Sequence, residues 1–348
     1  MSLTTRKYIG WGAAVLLICA MTAAASLLGE REIIFPEILA LAAGAWVAPN
    51  QPWRVSRVQT VLLMTAAAVF GVCAVRFLPV PQFLQAAAAF LFVAGMLLLT
   101  RATLVPMVSA AVLPVLLGTT SWVYPAAVLI LSLLIAAFRP MIKGRGACGA
   151  APPTPVWSYK QEALRWLTLF LCFCAAAFIP MQTGNLYFIA PPLIVMFCEL
   201  SKPQGAPRRH MGAVFILMAA ASVTGVLVRY VIELWLGLPI WMAGGLCAVL
   251  LLFLFTRVKL IFPPAGAAML LPMLLPVETL WLYPPELIAG CLVFMGLSCV
   301  LFREKKRVPG KKKRFAVPPG KVKFTGSINR RDSIRRKGIK EARITLKL

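Results

Sequence analysis

The sequence predicts an all-α polytopic membrane protein, and three features of the whole chain lead to that fold class. Of its 348 residues, 60% are hydrophobic and only 14% are charged. A soluble domain is about 45–50% apolar and about 25% charged, so this chain has more apolar surface than a water-soluble fold buries. The same apolar content excludes disorder for most of the chain. The third feature is a net charge of +25, of which the C-terminal tail carries a large share.

Twelve apolar segments make up the hydrophobic body of the chain. A spanning helix needs about 20 apolar residues, with a range of roughly 17–25, and eight segments fall in this range. The second and fifth segments of each half have only 14–16 residues, so we predict that they are tilted, re-entrant or broken. In chain order the segments are Ile9–Leu28, Ile33–Ala48, Val58–Val75, Phe83–Leu99, Leu104–Leu117, Trp122–Phe138, Leu164–Met181, Tyr187–Leu200, Met211–Val228, Pro239–Phe255, Leu260–Leu275 and Trp281–Leu301.

The basic residues alternate between successive connections, and this pattern predicts the orientation. No odd-numbered connection has more than one Lys or Arg, and every even-numbered connection has at least one. Since cytoplasmic loops carry the excess of Lys and Arg, both termini are predicted to be cytoplasmic in a multi-pass protein of the bacterial inner membrane. The apolar run after Arg6-Lys7 resembles a signal peptide, but we expect it to be retained because Leu164–Met181 is its counterpart.

An ordered series of matches indicates that the two halves are repeats. The matching residues are separated by 155 to 159 positions. Six segments per half is an even number, so the repeats are predicted to be parallel and related by an axis along the membrane normal. The predicted organisation is a first repeat (1–140), a linker (141–160), a second repeat (161–302) and a basic tail (303–348). The matches include Pro36 with Pro191, Thr100-Arg101 with Thr256-Arg257, Pro106 with Pro264, and Trp122 to Pro125 with Trp281 to Pro284.

Prolines recur at matched places in the short segments and predict a binding site. A proline removes a backbone donor, and in lipid the freed backbone groups require protein or a water-lined cavity. Short, proline-interrupted segments at corresponding positions of two halves are typical of transporter binding sites. The alternative is that these prolines serve helix packing, as they often do in membranes. The candidate substrate-binding residues are Pro36, Thr100, Arg101, Pro106, Pro191, Pro192, Arg208, Thr256, Arg257, Lys259, Pro263, Pro264 and Gly266.

The stretch from Phe255 to Ala268 carries the strongest local signal. Its two basic residues are expected at the cytoplasmic mouth, and Pro263-Pro264 suits a first helical turn. The small residues around Gly266 allow close approach of a backbone or a ligand. An open helix N-terminus with nearby cations attracts anions. The alternative is a positive-inside anchor followed by a small-residue packing face.

Residues 190–301 resemble the HPP family of integral membrane proteins. The matching residues are Thr256-Arg257 and Phe262-Pro263-Pro264-Ala265-Gly266-Ala267, with an upstream loop Lys202–Arg208. The first half resembles the pattern more weakly, through Thr100-Arg101 and Pro106. Phe262 stands where the family has its name-giving His, so any contribution of that His is lacking. Because some family members are associated with nitrite transport, the resemblance implies a small inorganic anion as a candidate substrate.

Few ionisable residues lie within the apolar segments, where they are functional candidates by default. Glu37 and Glu199 lie near ends of the second segments, and the sequence leaves interfacial placement and function open for both. Glu286 begins the last helix, and Arg229 is spaced to pair with Glu233. No carboxylate cluster of the kind that binds Na⁺ or relays protons is present, which favours an anion or a neutral solute.

No motif for catalysis or for metal binding is visible. Most of the nine cysteines lie in apolar segments, where free Cys acts as a small hydrophobe, and His210 is the one histidine. The chain also lacks a phosphate-binding loop, a catalytic triad and a dinucleotide fingerprint. We therefore predict no enzyme activity, no metal and no cofactor.

Residues 303–348 form a polybasic tail with 18 Lys or Arg, three acids and a net charge of +15. It is predicted to be disordered and to contact anionic lipid, with RNA second and a protein partner third. Its only aromatics are Phe315 and Phe324, so a stacking platform for nucleic acid is not expected. The leading prediction is a transporter or channel-like permease for a small solute. The alternative is a non-transporting membrane scaffold that acts through the tail. Assembly into a homo-oligomer stays open.

Overall fold

The computed structural model describes residues 3–143, 158–202 and 205–302, and within these ranges the regular structure is entirely helical. The predicted tail lies outside the described residues, as does most of the predicted linker. The helices are α1 (Leu3–Leu28), α2 (Glu37–Ala42), α3 (Arg57–Phe77), α4 (Gln82–Thr100), α5 (Pro106–Leu117), α6 (Val123–Lys143), α7 (Tyr159–Thr183), α8 (Pro191–Leu200), α9 (Ala206–Arg209), α10 (Met211–Arg229), α11 (Ile240–Val258), α12 (Pro264–Leu270) and α13 (Tyr283–Leu301).

Eight of these helices are long and apolar enough to cross a membrane, by length and composition. Each covers all but at most two residues of one of the eight long predicted segments, which confirms the all-helical prediction for the described residues. Their outward faces expose large apolar side chains, such as Leu16, Leu62, Ile130 and Ile216. A soluble monomer rarely exposes contiguous apolar surface on this scale, so the surface is compatible with a lipid environment.

The four short predicted segments form short helices, namely α2, α5, α8 and α12. A π-helical stretch, Ala43–Val47, continues α2, and a 3₁₀ turn, Leu271–Met273, continues α12. Each of the four begins at or just after a proline: Pro36, Pro106, Pro191 and Pro264. A proline fits the first helical turn because its missing N–H has no partner there in any case. The prolines therefore set where these helices begin, whereas Pro114 lies inside α5.

Local sequence signals explain several helix ends. Ser56 and Gln59 form a capping box at the start of α3, with N–O distances of 3.1 and 3.0 Å. Glycines with positive φ, Gly118 and Gly184, follow α5 and α7. Two non-glycine residues, Arg101 and Lys259, take the same left-handed conformation directly after α4 and α11. The chain then turns toward α5 and α12 respectively.

The short helices lie at the centre of the packing. Helix α2 packs against α5 and α12, and α8 packs against the same two helices. These four helices are called the short-helix ring below. Two pairs of long helices also join the halves, since α1 packs against α11 and α4 packs against α7. The halves are therefore joined both within the ring and through long helices outside it.

Two glycines allow long helices to approach the ring. A Cβ atom on Gly71 in α3 would lie 2.3 Å from the Ala111 carbonyl oxygen of α5, and one on Gly225 in α10 would lie 2.2 Å from that of Met269 in α12. Real Cβ atoms do not come so close to a backbone oxygen, and the backbone cannot swing aside as a side chain does. Only glycine fits at these positions without separating the helices.

Replacing either glycine by alanine should destabilise the protein. Gly71→Ala and Gly225→Ala are each expected to cost about 1–3 kcal/mol through overpacking. Gly95→Ala and Gly296→Ala are matched controls, because no atom lies within 4 Å of a Cβ at these sites. They should leave stability unchanged or raise it slightly through helix propensity. Thermal unfolding of the detergent-solubilised variants measures the difference, and equal midpoints for all four would contradict the close approach.

Candidate functional site

The short-helix ring brings together most of the proline positions that the sequence singles out. Pro36, Pro106, Pro191, Pro192, Pro263 and Pro264 are all buried. Gly266 in α12 faces Leu39 and the backbone nitrogen of Ala40 in α2, and a Cβ there would lie 3.1–3.2 Å from them. The small residue thus serves the packing of α12 against α2, and protein rather than ligand occupies the space beside it.

Side-chain donors from neighbouring helices satisfy the C-terminal carbonyls of the ring helices. The last carbonyls of a helix have no partner within it, and in an apolar interior each unpaired group is costly. Cations are also favoured at helix C-termini by the helix dipole. The bonds run from Lys143 to the Ala48 carbonyl after α2, from Gln82 to Val115 and Leu116 in α5, from Arg165 to Cys198 and Arg208 to Leu200 in α8, and from Arg229 to Pro272 and Leu275 after α12.

Arg229 is the most deeply buried of these donors, with none of its surface exposed. Its Nε donates to Glu233 Oε2 at 2.8 Å, which confirms the pairing expected from their spacing. Arg31, from the first half, lies 3.3 Å from the other oxygen of Glu233. One carboxylate therefore compensates the buried guanidinium and also links the two halves of the chain.

Glu37 is a buried carboxyl group at the start of α2, with only 1% of its surface exposed. The Ser109 hydroxyl of α5 donates to its Oε1, and Oε2 has no hydrogen-bond partner. None of the ion pairs among the described residues includes Glu37. The tyrosines Tyr124 and Tyr283 interact with it electrostatically but donate their hydroxyls to the carbonyls of Ala110 and Ala268.

A small cleft lies where α2, α3 and α6 meet the loop after α2. Its polar lining consists of Gln51, Trp53, Arg57, Thr60 and Arg139. The Arg139 guanidinium donates to Gln51 Oε1, and Arg57 is exposed at the edge. The cavity of about 20 Å³ holds about one water. The positive charge of two guanidinium groups suits an anion, whereas the Thr60 hydroxyl and the Gln51 amide donate to the carbonyls of Ser56 and Val55. A solute needs the cleft to widen.

A polar bridge joins this cleft to the second half of the chain. The indole nitrogen of Trp53 donates to Glu199 Oε1 at 3.1 Å, and Lys202 lies 2.8 Å from Glu199 Oε2. Glu199, for which the sequence left interfacial placement and function open, is therefore held by one partner from each half.

Glu286 lies in the first turn of α13, where it accepts a hydrogen bond from the Tyr187 backbone nitrogen at 3.0 Å.

The predicted residues outside the ring lie in or next to three connections. Thr256, Arg257 and Lys259 are exposed at the end of α11, and the Arg257 guanidinium lies 4.7 Å from the centre of the Phe253 ring. Thr100 and Arg101 are placed similarly at the end of α4. In the third connection, Arg208 bonds Leu200 and Ser298, so it holds two helices together in this conformation.

Several residues that the structure brings to the ring and the cleft were not predicted from the sequence. Ser109 is one hydroxyl in an otherwise apolar helix, and its partner is 72 positions away. Gln51 and Arg139 are separated by 88 positions. The signal for Arg139 in the sequence is a basic residue near the end of an apolar helix. In the prediction of orientation, Arg139 was counted as a loop charge.

The described residues contain no group of three or more His, Cys, Asp or Glu side chains placed to hold a metal ion. The chain matches no family model, no curated protein and no solved structure with which it was compared.

Removing the Arg229 side chain should destabilise the ring. Arg229→Met leaves two carbonyls without their donor and deprives Glu233 of its buried partner, a loss of about 3–5 kcal/mol for a broken buried pair. Arg76→Met is the matched control, since Arg76 also lies in the last turn of a long helix but is exposed, with one bond of 3.4 Å to Thr120. Thermal unfolding should show a large drop for the first variant and a midpoint near the wild type for the second. A similar midpoint for both would refute the capping role.

Proposed function

We propose that the chain is an integral membrane transporter or channel-like permease for a small solute. The observation that carries the proposal is the ring of four short, proline-led helices enclosed by eight long apolar ones. Broken helices place backbone ends and polar groups inside a membrane, as they do in transporters. The proposed passage runs between α2 and α5 on one side and α8 and α12 on the other.

The finer architecture in this proposal is two parallel repeats with twelve spanning or half-spanning segments. Matched contacts support it. Gly71 and Gly225 seat corresponding long helices against α5 and α12. Tyr124 and Tyr283 begin α6 and α13 and donate to carbonyls of the same two short helices, at 3.1 and 2.7 Å. Cytoplasmic termini and residence in the bacterial inner membrane belong to the same proposal, as does kinship with the HPP family.

The proposed substrate class is a small inorganic anion, with nitrite as the first candidate. The polar cleft supplies positive charge through Arg57 and Arg139. Arg101, Arg257 and Lys259 add exposed positive charge in the connections that follow α4 and α11. Charge of one sign around an entrance concentrates ions of the opposite sign. No catalytic step and no cofactor are part of this function.

Uptake by liposomes that contain the purified protein tests the proposal and locates the entrance. We expect uptake of nitrite or another member of a panel of small anions. Arg57→Gln should reduce uptake because it removes a cation at the cleft. Arg257→Gln is the matched variant, with the same change of charge at an exposed position outside the cleft. A larger effect of Arg257→Gln would move the entrance to the end of α11, and no uptake of any anion by the wild type would reject anion transport.

A second candidate function is a membrane scaffold that acts through the basic tail. It is favoured by the composition, since half of the Lys and Arg residues lie in residues 303–348. Such a tail is attracted to anionic lipid by about 1 kcal/mol per basic residue near the surface.

Deleting residues 303–348 separates the two functions. If the helical body transports, the shortened protein should keep the uptake rate of the full chain in liposomes of neutral lipid. Liposomes with anionic lipid serve as a comparison, because the tail is expected to matter only there. Full uptake by the shortened protein supports transport by the body. The scaffold function is supported if the shortened protein inserts normally into the membrane but shows no transport, and if cells that carry it lose the phenotype given by the full chain.

A further inference from the structure

We infer that Glu37 is a proton-binding residue whose carboxyl group holds a proton while α2 is packed against α5 and α12. When this packing opens, the carboxyl O–H bond breaks, the proton passes to entering water, and a carboxylate remains. The link between this step and solute movement rests on the proposed transport function. Proton binding itself does not.

The Glu37 carboxyl group is buried but has fewer hydrogen-bond partners than a buried carboxylate requires. An ionised carboxylate accepts about four hydrogen bonds, but the partners of the Glu37 carboxyl group are the Ser109 hydroxyl and the backbone N–H of Glu37 itself, and its Oε2 has no partner. Burying an unpaired charge is so costly that the group is neutralised instead. A neutral carboxyl group needs fewer partners, so the proton resolves the mismatch.

Among the described helices around Glu37, none provides a positive counter-charge for its carboxyl group. Helices α5 and α12 have no ionisable residue at all. Helix α6 contributes Tyr124, and its two basic residues bond to Gln51 and to the Ala48 carbonyl. From α1, Cys19 lies beside Gly245 of α11, and the other ionisable residues of α1 lie in its first two turns, namely Arg6, Lys7 and Tyr8. Tyr283 of α13 donates to the Ala268 carbonyl.

Glu37 lies at the interface where the two halves of the chain pack together. Its bonded partner Ser109 lies in α5, and two residues further along α2 Leu39 meets Gly266 of α12. Separation of α2 from α5 and α12 would therefore open the surroundings of Glu37 to water. Protonation favours the packed ring, and the carboxylate favours an opened, hydrated one. Glu37 thus provides a two-state element that a proton shifts.

Infrared difference spectra of the full-length protein in lipid nanodiscs test proton binding directly. A protonated carboxyl group absorbs at a C=O frequency distinct from that of a carboxylate. We expect the wild type to show a protonated carboxyl band that is lost as the pH rises. Glu37→Gln should abolish the band, and Ser109→Ala should shift it by removing the hydroxyl bond. Glu199→Gln is the control and should retain it, because Glu199 is paired with Lys202.

A band that survives Glu37→Gln overturns the inference, and so does a Glu37 carboxylate that responds to Na⁺ but not to pH. If Glu37→Gln folds poorly, the Ser109→Ala shift decides the matter, since an unshifted band would place the proton elsewhere.

Liposome uptake with an imposed pH gradient tests the coupling. An inward proton gradient should accelerate wild-type uptake, and Glu37→Gln should lose this acceleration while keeping some uptake. Equal stimulation of both proteins overturns the coupling. A wild type that transports nothing but shows the Glu37 band overturns the proposed transport and supports the proton site.

Discussion

The fold depends on satisfying backbone groups near the ends of the four short helices that pack at the centre of the bundle. The carbonyls concerned belong to buried residues, such as Ala48, Val115, Leu200 and Leu275. In an apolar interior those groups have to be met by protein. Long side chains from neighbouring helices do this, with cations at three of the four C-termini and the Gln82 amide at the fourth. At the other end, a proline at or just before the first residue of each ring helix removes one of the unpaired N–H donors.

This requirement gives the buried basic residues a structural meaning. Arg229 and Arg165 are not loop charges, since each guanidinium lies within the bundle and binds carbonyls of a ring helix. Each is also compensated by a glutamate on its own helix or in the turn that follows it, Glu233 and Glu162. A guanidinium suits this task because its donors point in several directions at once. Glu37 differs from these glutamates in having no such partner.

Local sequence patterns were sufficient for the long helices and for the beginning of one short helix. Apolar length predicted eight helices, and Pro263-Pro264 marked where α12 begins, because both signals act within a few residues. Pro106 and Pro191 were expected to interrupt their segments, but they are the first residues of α5 and α8. The Arg229–Glu233 pair was also predictable, since a spacing of four puts both residues on one helix face. The contacts that make the site were not predictable from one sequence. Ser109 meets Glu37, and Gln51 meets Arg139, only after distant helices pack. Arg208 illustrates the same limit, because a loop arginine expected at an entrance holds two helix ends together.

The closure of the short-helix ring has a consequence for biosynthesis. Two of its four contacts join helices from different halves, so neither half encloses its own short helices. When the first half has left the ribosome, α2 and α5 still lack α12 and α8, and Glu37 lies in an incomplete interior. At about 5–20 residues per second, the roughly 150 residues between α5 and α12 take about 7–30 seconds to synthesise. In a membrane, the insertion machinery or lipid would have to shield the unfinished core during that interval.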